Sequence, residues 1–159
     1  MDGKRLSPQE ALAKLYRYCA YQERSHQEVK NKLYSFGLYR DEVEELISRL
    51  ITEGFLNEER YAKAFAGGKF RMQKWGRIRI VHELEAKGLT KNCIKAGLRE
   101  IAEDDYQKTL QELLDKKAAQ LDEEDPFIKR DQIARYAIQK GFEPDLVWQL
   151  LKEAARNKS

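Results

Sequence analysis

Cysteine, histidine and proline are scarce: two, two and three in 159 residues. Each shortage removes a class of protein. Cys19 and Cys93 stand far apart, each inside an apolar helical pattern, so they are expected to be buried structural thiols rather than a redox pair or a disulfide framework. A zinc site needs Cys, His or carboxylate ligands at short fixed spacings. His26 and His82 have no such neighbours, so no metal is expected. No apolar run approaches the roughly 18 residues of a membrane helix, and the polar start MDGKRLSPQE holds no signal-peptide core. The expectation is a cytosolic protein with no membrane partner. Period-two alternation is missing over any useful length, which argues against strands. Enzyme signatures are missing too: there is no nucleophile elbow, no HExxH and no Gly-rich phosphate loop. The nearest candidate, GGK at 67–69, lacks both the upstream glycine of a P-loop and the Ser/Thr after its lysine. An enzyme is therefore the weakest reading, and no cofactor is expected.

What remains is charge and helix formers. Charged residues make up 36% of the chain and apolar ones 42%, with Glu, Lys, Leu, Ala and Arg dominant, the composition of an all-α protein. The net charge of +3 conceals an uneven spread. Residues 60–99 hold eleven basic and two acidic side chains, a net of +9. Residues 1–59 hold nine and eleven, and residues 100–159 hold ten and fourteen, for −2 and −4. A basic middle between acidic ends suits a polyanionic partner, or docking onto two differently charged surfaces.

The chain also repeats itself. Leu33-x3-Gly37-x5-Val43, Leu84-x3-Gly88-x5-Ile94 and Ala137-x3-Gly141-x5-Val147 share one spacing. An apolar residue follows each glycine (Leu38, Leu89, Phe142), and another lies four positions before the first apolar one (Val29, Ile80, Ile133). The pattern predicts helix, tight glycine turn, helix, with glycine in the left-handed conformation that ends many helices. A further helix precedes each pair, over Pro8 to Tyr21, Glu58 to Lys74 and Asp105 to Leu121. Ser25-His-Gln-Glu28 fits a capping box, and Asn57, Gly76, Asp41 and Thr90 are expected caps. Gly67 and Gly68 are expected to bend the second of the preceding helices. The fold read from this is all-α: three tandem three-helix, helix-turn-helix-like repeats, over 1–56, 57–103 and 104–159, stacked into an elongated, curved molecule.

Helix-turn-helix spacing also fits duplex reading by a groove-inserted helix. Lys91, Lys95 and Arg99 could serve that role in the second repeat, whereas DEVEEL in the first would repel phosphate. The densest cationic stretch is KFRMQKWGRIRIVHELEAKGL at 69–89. Lys69, Arg71 and Lys74 close one helix, where cations suit the helix dipole. Arg77 and Arg79 open the next, where the dipole prefers anions, and this mismatch suggests an external anionic partner. Phe70 reads as core. Trp75 is open between core and a stacking platform for a base. Arg40, followed by acids, is expected to pair locally.

FLNEERYAKAFAGGKFRMQKWGRIRIVHELEAKGL resembles the central signature of the RecX family, bacterial regulators of the RecA recombinase. The matching elements are Leu56-Asn57, Arg60-Tyr61-Ala62, the basic run Lys69 to Trp75, Gly76, Ile80 and Leu84, and Lys87-Gly88-Leu89. CAYQERSHQEV to LITEGFL is similar to the family's first repeat, and KGFEPDLV matches the third more loosely. The resemblance implies a non-catalytic regulator that binds the RecA filament on single-stranded DNA, in its groove, and inhibits ATP hydrolysis and strand exchange. Single-stranded DNA is then a partner and duplex DNA a further one. A monomer is expected, because the apolar faces can be used up between repeats. Lys69, Arg71, Lys74, Trp75, Arg77, Arg79, Lys87, Lys91 and Lys95 are the expected contact residues. The competing reading is a stand-alone nucleic-acid-binding module of helix-turn-helix type.

Overall fold

The glycine turns and caps translate directly into helix boundaries in the computed structural model, which describes residues 5–157. In chain order the helices are α1 (Pro8–Tyr21), α2 (His26–Ser35), α3 (Arg40–Thr52), α4 (Glu58–Gln73), α5 (Arg77–Ala86), α6 (Lys91–Leu98), α7 (Glu103–Gln120), α8 (Pro126–Gln139) and α9 (Pro144–Asn157). The fold is all-α, in three successive three-helix units. No helix among the described residues is long and apolar enough to cross a membrane.

Gly37, Gly88 and Gly141 have φ of 85°, 82° and 102°, the left-handed region in which a Cβ is strained. In the second and third units the turn is a Schellman motif. Leu89 N–H donates to Leu84 O and Phe142 N–H to Ala137 O, both at 3.2 Å. The apolar residues of the repeat are all buried. Ser7 and Ser25 form full capping boxes, and Asn57, Thr90 and Asp125 cap α4, α6 and α8.

Some boundaries differ from expectation. Asp41 is not the cap of α3: the helix begins two residues earlier than that cap would place it, Tyr39 holds the cap position, and its N–H donates to the Glu42 carboxylate at 2.9 Å. Asp41 instead adds an anion to the first turn, where the dipole favours it. Helix α7 starts at Glu103, with three acids in its first turn. Helix α4 runs hydrogen-bonded through Gly67 and Gly68 and stops at Lys74, which takes the left-handed conformation itself (φ 58°, ψ 41°). It packs closely on α6, where a Cβ at Gly97 would lie 2.7 Å from Ala62 O. Cys19 is buried, but Cys93 is only half-buried on α6; both are free thiols.

Two cores hold the chain. One gathers Ala11, Leu15, Val29, Leu33, Val43, Leu50 and Leu56 of the first unit. The other is shared by the second and third, from Tyr61 and Ile80 through Tyr106 to Phe142 and Leu150. The first unit meets the second through polar contacts. Arg60 Nε donates to Glu23 at 2.7 Å, and His26 N–H donates to Glu58 at 3.0 Å.

Between the second and third units the backbones themselves join. Gly76 caps α5 but has no side chain to satisfy the free N–H groups of the first turn. The third unit's turn supplies acceptors instead: Gly76 N–H donates to Lys140 O at 2.8 Å and Ile78 N–H to Gly141 O at 2.9 Å. Arg77 N–H donates to the Tyr106 hydroxyl at 2.9 Å. A Cβ at Gly76 would fall 2.2 Å from the Gly141 carbonyl carbon.

Gly76→Ala and Gly88→Ala separate these two uses of glycine. At Gly88 nothing lies near an added Cβ, so alanine costs only left-handed strain, about 1 kcal/mol. At Gly76 backbone must move, and about 3 kcal/mol or more is expected. Urea denaturation followed by circular dichroism measures both; equal losses would contradict the close approach.

Candidate partner-binding surface

The basic middle divides into cations the fold uses and cations it leaves over. Arg77 belongs to the first group. Its guanidinium donates to Glu143 Oε2 at 2.9 Å and Glu103 Oε1 at 2.6 Å, and lies 3.7 Å from the centre of the Tyr106 ring. Burial disfavours its charge, but the bonds to Glu143 and then Glu103 outweigh that, and its pKa is raised. Tyr106, buried, donates its hydroxyl to Glu143. Burial, then that bond, raises its pKa. The mismatch of a cation at the α5 N-terminus is therefore answered inside the molecule, by acids of the third unit, and needs no external anion.

Lys69, Arg79 and Lys87 belong to the second group. They surround an aromatic pair, Phe65 and Trp75, set edge-on with centroids 6.2 Å apart. Lys69 Nζ stands 4.9 Å from the Trp75 ring and 5.6 Å from Phe65. Arg79 lies 4.2 Å over Trp75, and Lys87 Nζ is 5.7 Å from Phe65. No carboxylate pairs with any of the three among the described residues. Cation–π contacts of this exposed kind are worth about 0.5–1 kcal/mol each, which orders the side chains without neutralising them. Trp75 is 8% exposed and resolves to core; its ring carries cations and is not bare for a base. Phe70 is core, stacked on Tyr106 at 5.8 Å.

Arg71 is exposed, its guanidinium folded over Gly67, where an added Cβ would be 2.7 Å from Nη1. Lys74 is exposed and donates to Arg71 O at 3.0 Å. Lys91 and Lys95 stand exposed on α6, apart from the aromatic pair, with no ion pair among the described residues. Arg40 pairs with Glu44 at 3.4 Å, as expected. The structure adds one cation that pattern reading missed. Lys140, at the third unit's glycine turn, donates to Gln73 O at 2.7 Å. Burial lowers its pKa, and the charges of Arg79 and Lys74 lower it further. Those two residues are therefore its near neighbours, and the surface continues into the third unit. The signal was there: Lys140-Gly141 repeats Lys87-Gly88. Nothing in the sequence pointed to Glu103 and Glu143 as the partners of Arg77.

Known proteins agree with this architecture. Residues 11–50, 57–98 and 103–151 match the first, second and third three-helix domains of RecX. The regulatory protein RecX of Pseudomonas entomophila is 32% identical over 133 residues, covering 83% of each chain. That of Prosthecochloris aestuarii is 28% identical over 153 residues, covering 92% of this chain and 95% of its own. The crystal structure of RecX from Lactobacillus salivarius shares the fold with a TM-score of 0.83 at 23% identity, over 92% of this chain and 95% of that one.

The division of cations has measurable consequences. Arg77→Ala strands two carboxylates and is expected to cost about 2 kcal/mol. Arg79→Ala should cost under about 1 kcal/mol. Comparable losses in urea titrations would contradict the division. Acid provides a second check. The bond from Gln107, then that from Arg77, holds Glu103 below its ordinary 4.5. Its contribution is present above that value and lost as pH falls through the lower folded one. Glu103→Gln should therefore flatten the acid limb of the stability curve below about pH 4.5; an unchanged limb would rule this out.

Proposed function

The chain belongs to the RecX family, and from that premise we propose that it is a non-catalytic regulator of the RecA recombinase. It binds, as a monomer, the filament that RecA forms on single-stranded DNA, and it inhibits the filament's ATP hydrolysis and strand exchange. The observation that carries this reading is the set of unneutralised cations, Lys69, Arg79 and Lys87, held around Phe65 and Trp75. Like charges gathered without acids repel one another, and an anionic surface relieves that repulsion when it docks. Arg71, Lys74, Lys91 and Lys95 extend the contact around the same unit, and Trp75 acts by holding Lys69 and Arg79. Arg77 contributes through the fold. Three units in series allow several weak contacts to add along a filament.

A second reading has one feature in its favour. Lys91, Lys95 and Arg99 are exposed on or just after α6, the helix after the glycine turn, where a helix-turn-helix protein would read duplex.

Single-stranded-DNA-dependent ATP hydrolysis by the cognate RecA, titrated with this protein, tests the proposal. Wild type should inhibit at a small ratio to RecA. Lys69→Glu, Arg79→Glu and Lys87→Glu combined should raise the required ratio at least about tenfold, the loss of roughly 1.4 kcal/mol. Inhibition that survives the triple variant moves the contact elsewhere. No inhibition by wild type, together with tight salt-sensitive duplex binding lost in Lys91→Gln/Lys95→Gln, would replace the regulator with the duplex reader.

A further inference from the structure

Beyond the aromatic pair, the cationic surface runs into a cleft between the end of α4, the middle of α7 and the end of α8. It has a volume of about 250 Å³ and is lined by Lys74, Lys116, Lys117 and Lys140, with Tyr136 and a single acid, Glu112. Four lysines line this one small opening: Lys74 and Lys140 donate to the carbonyls of Arg71 and Gln73 at the end of α4, and Lys116 and Lys117 serve no such bond among the described residues. Neither Lys116 nor Lys117 has a carboxylate partner among the described residues; Lys117 Nζ rests 4.6 Å from the Tyr136 ring. Lys140 is half-buried at the cleft, held by the Gln73 carbonyl.

The backbone beneath Lys74 points the same way. Every other described residue with positive φ is a glycine: Gly37, Gly54, Gly88 and Gly141. At the end of α4 a lysine takes that conformation, although glycine would adopt it without strain. The strained residue thus brings a charge to the cleft that a relaxed one would not.

We propose that this cleft is a binding subsite for single-stranded nucleic acid: a backbone phosphate draws Lys117 off the half-buried Tyr136 ring into the group of lysines, and a base takes the ring face that Lys117 leaves. The lining holds no arginine, so its lysines act as point charges, a mode in which lysine binds phosphate. The choice of a nucleic-acid phosphate over an acidic peptide rests on Tyr136. Tyr136 supplies an aromatic surface, and single-strand sites combine stacking with a basic track. A duplex would keep its bases stacked and out of reach of Tyr136. The subsite deepens the filament-binding reading, as the place where the DNA within the filament is touched, and its test does not require RecA.

The experiment is fluorescence anisotropy of a labelled oligothymidine of about 20 nucleotides, titrated with the full chain at several salt concentrations. Lys116→Gln/Lys117→Gln should weaken binding about tenfold near 0.1 M salt. It should also reduce the slope of log K against log salt by roughly 0.7, the share of the one seated phosphate. Lys14→Gln/Lys152→Gln, matched in charge and outside the cleft, should match wild type. Tyr136→Leu should weaken single-strand binding several-fold and leave binding to a duplex of the same length unchanged. The proposal is overturned if the cleft variant matches the control pair in both affinity and slope. It is equally overturned if wild type fails to bind the oligonucleotide at low salt, or if a polyglutamate of equal charge competes as well as unlabelled oligothymidine. Wild type that inhibits RecA but fails to bind the oligonucleotide would remove this subsite alone. Failed RecA inhibition with the cleft effects present would remove the filament reading alone.

Discussion

The architecture depends on how one helix gets its cap. A helix N-terminus exposes N–H groups that must find acceptors, and α5 begins at Gly76, which has none to offer. The acceptors come from the carbonyls of Lys140 and Gly141 and from the Tyr106 hydroxyl. Two of these are short, directional bonds between backbones, and they fix the second unit directly against the third. Glycine at both 76 and 141 is what lets the two backbones come within bonding distance. Around this junction the aromatic stack Phe70–Tyr106–Phe142 and the ion pairs of Arg77 fall into place.

This junction explains why the basic stretch splits in function. Position along the chain puts Arg77 and Arg79 two residues apart on the same first turn, yet successive residues on a helix face different neighbours. Arg77 turns inward to Glu103 and Glu143, whereas Arg79 lies on Trp75 in a group of like charges. Counting charge marks out the basic stretch but cannot sort its members, because the sorting depends on acids in another unit.

The legibility of the rest follows the same division. What nearest neighbours govern was largely readable: the glycine turns, the capping box at Ser25, the caps at Asn57 and Thr90, and the buried apolar repeat; the Ser7–Glu10 box has the same spacing but was missed. Asp41 misled because an acid serves equally as a cap or in the first turn, and only the backbone decides which. Gly67 and Gly68 suggested a bend on propensity alone, but α4 stays hydrogen-bonded through both and packs closely on α6 near Gly97. Lys140 and the α7 lysines were invisible as a group. They lie in a unit whose net charge is negative and come together only when α7 and α8 pack on the end of α4.

The shared core of the second and third units also has a consequence for the order in which the chain matures. The first unit owns all of its core, so it can fold as soon as it leaves the ribosome. The second cannot finish at its own C-terminus. Its middle helix waits, uncapped and with Tyr61, Phe70 and Ile80 incompletely covered, until α8 and the turn after it have been made. Contacts so distant along the chain are slow to close, and domains emerge from synthesis at only about 5–20 residues per second. For seconds, then, the nascent protein is a finished head followed by an unfinished, sticky body, and the segment with the highest net positive charge is the one left open longest.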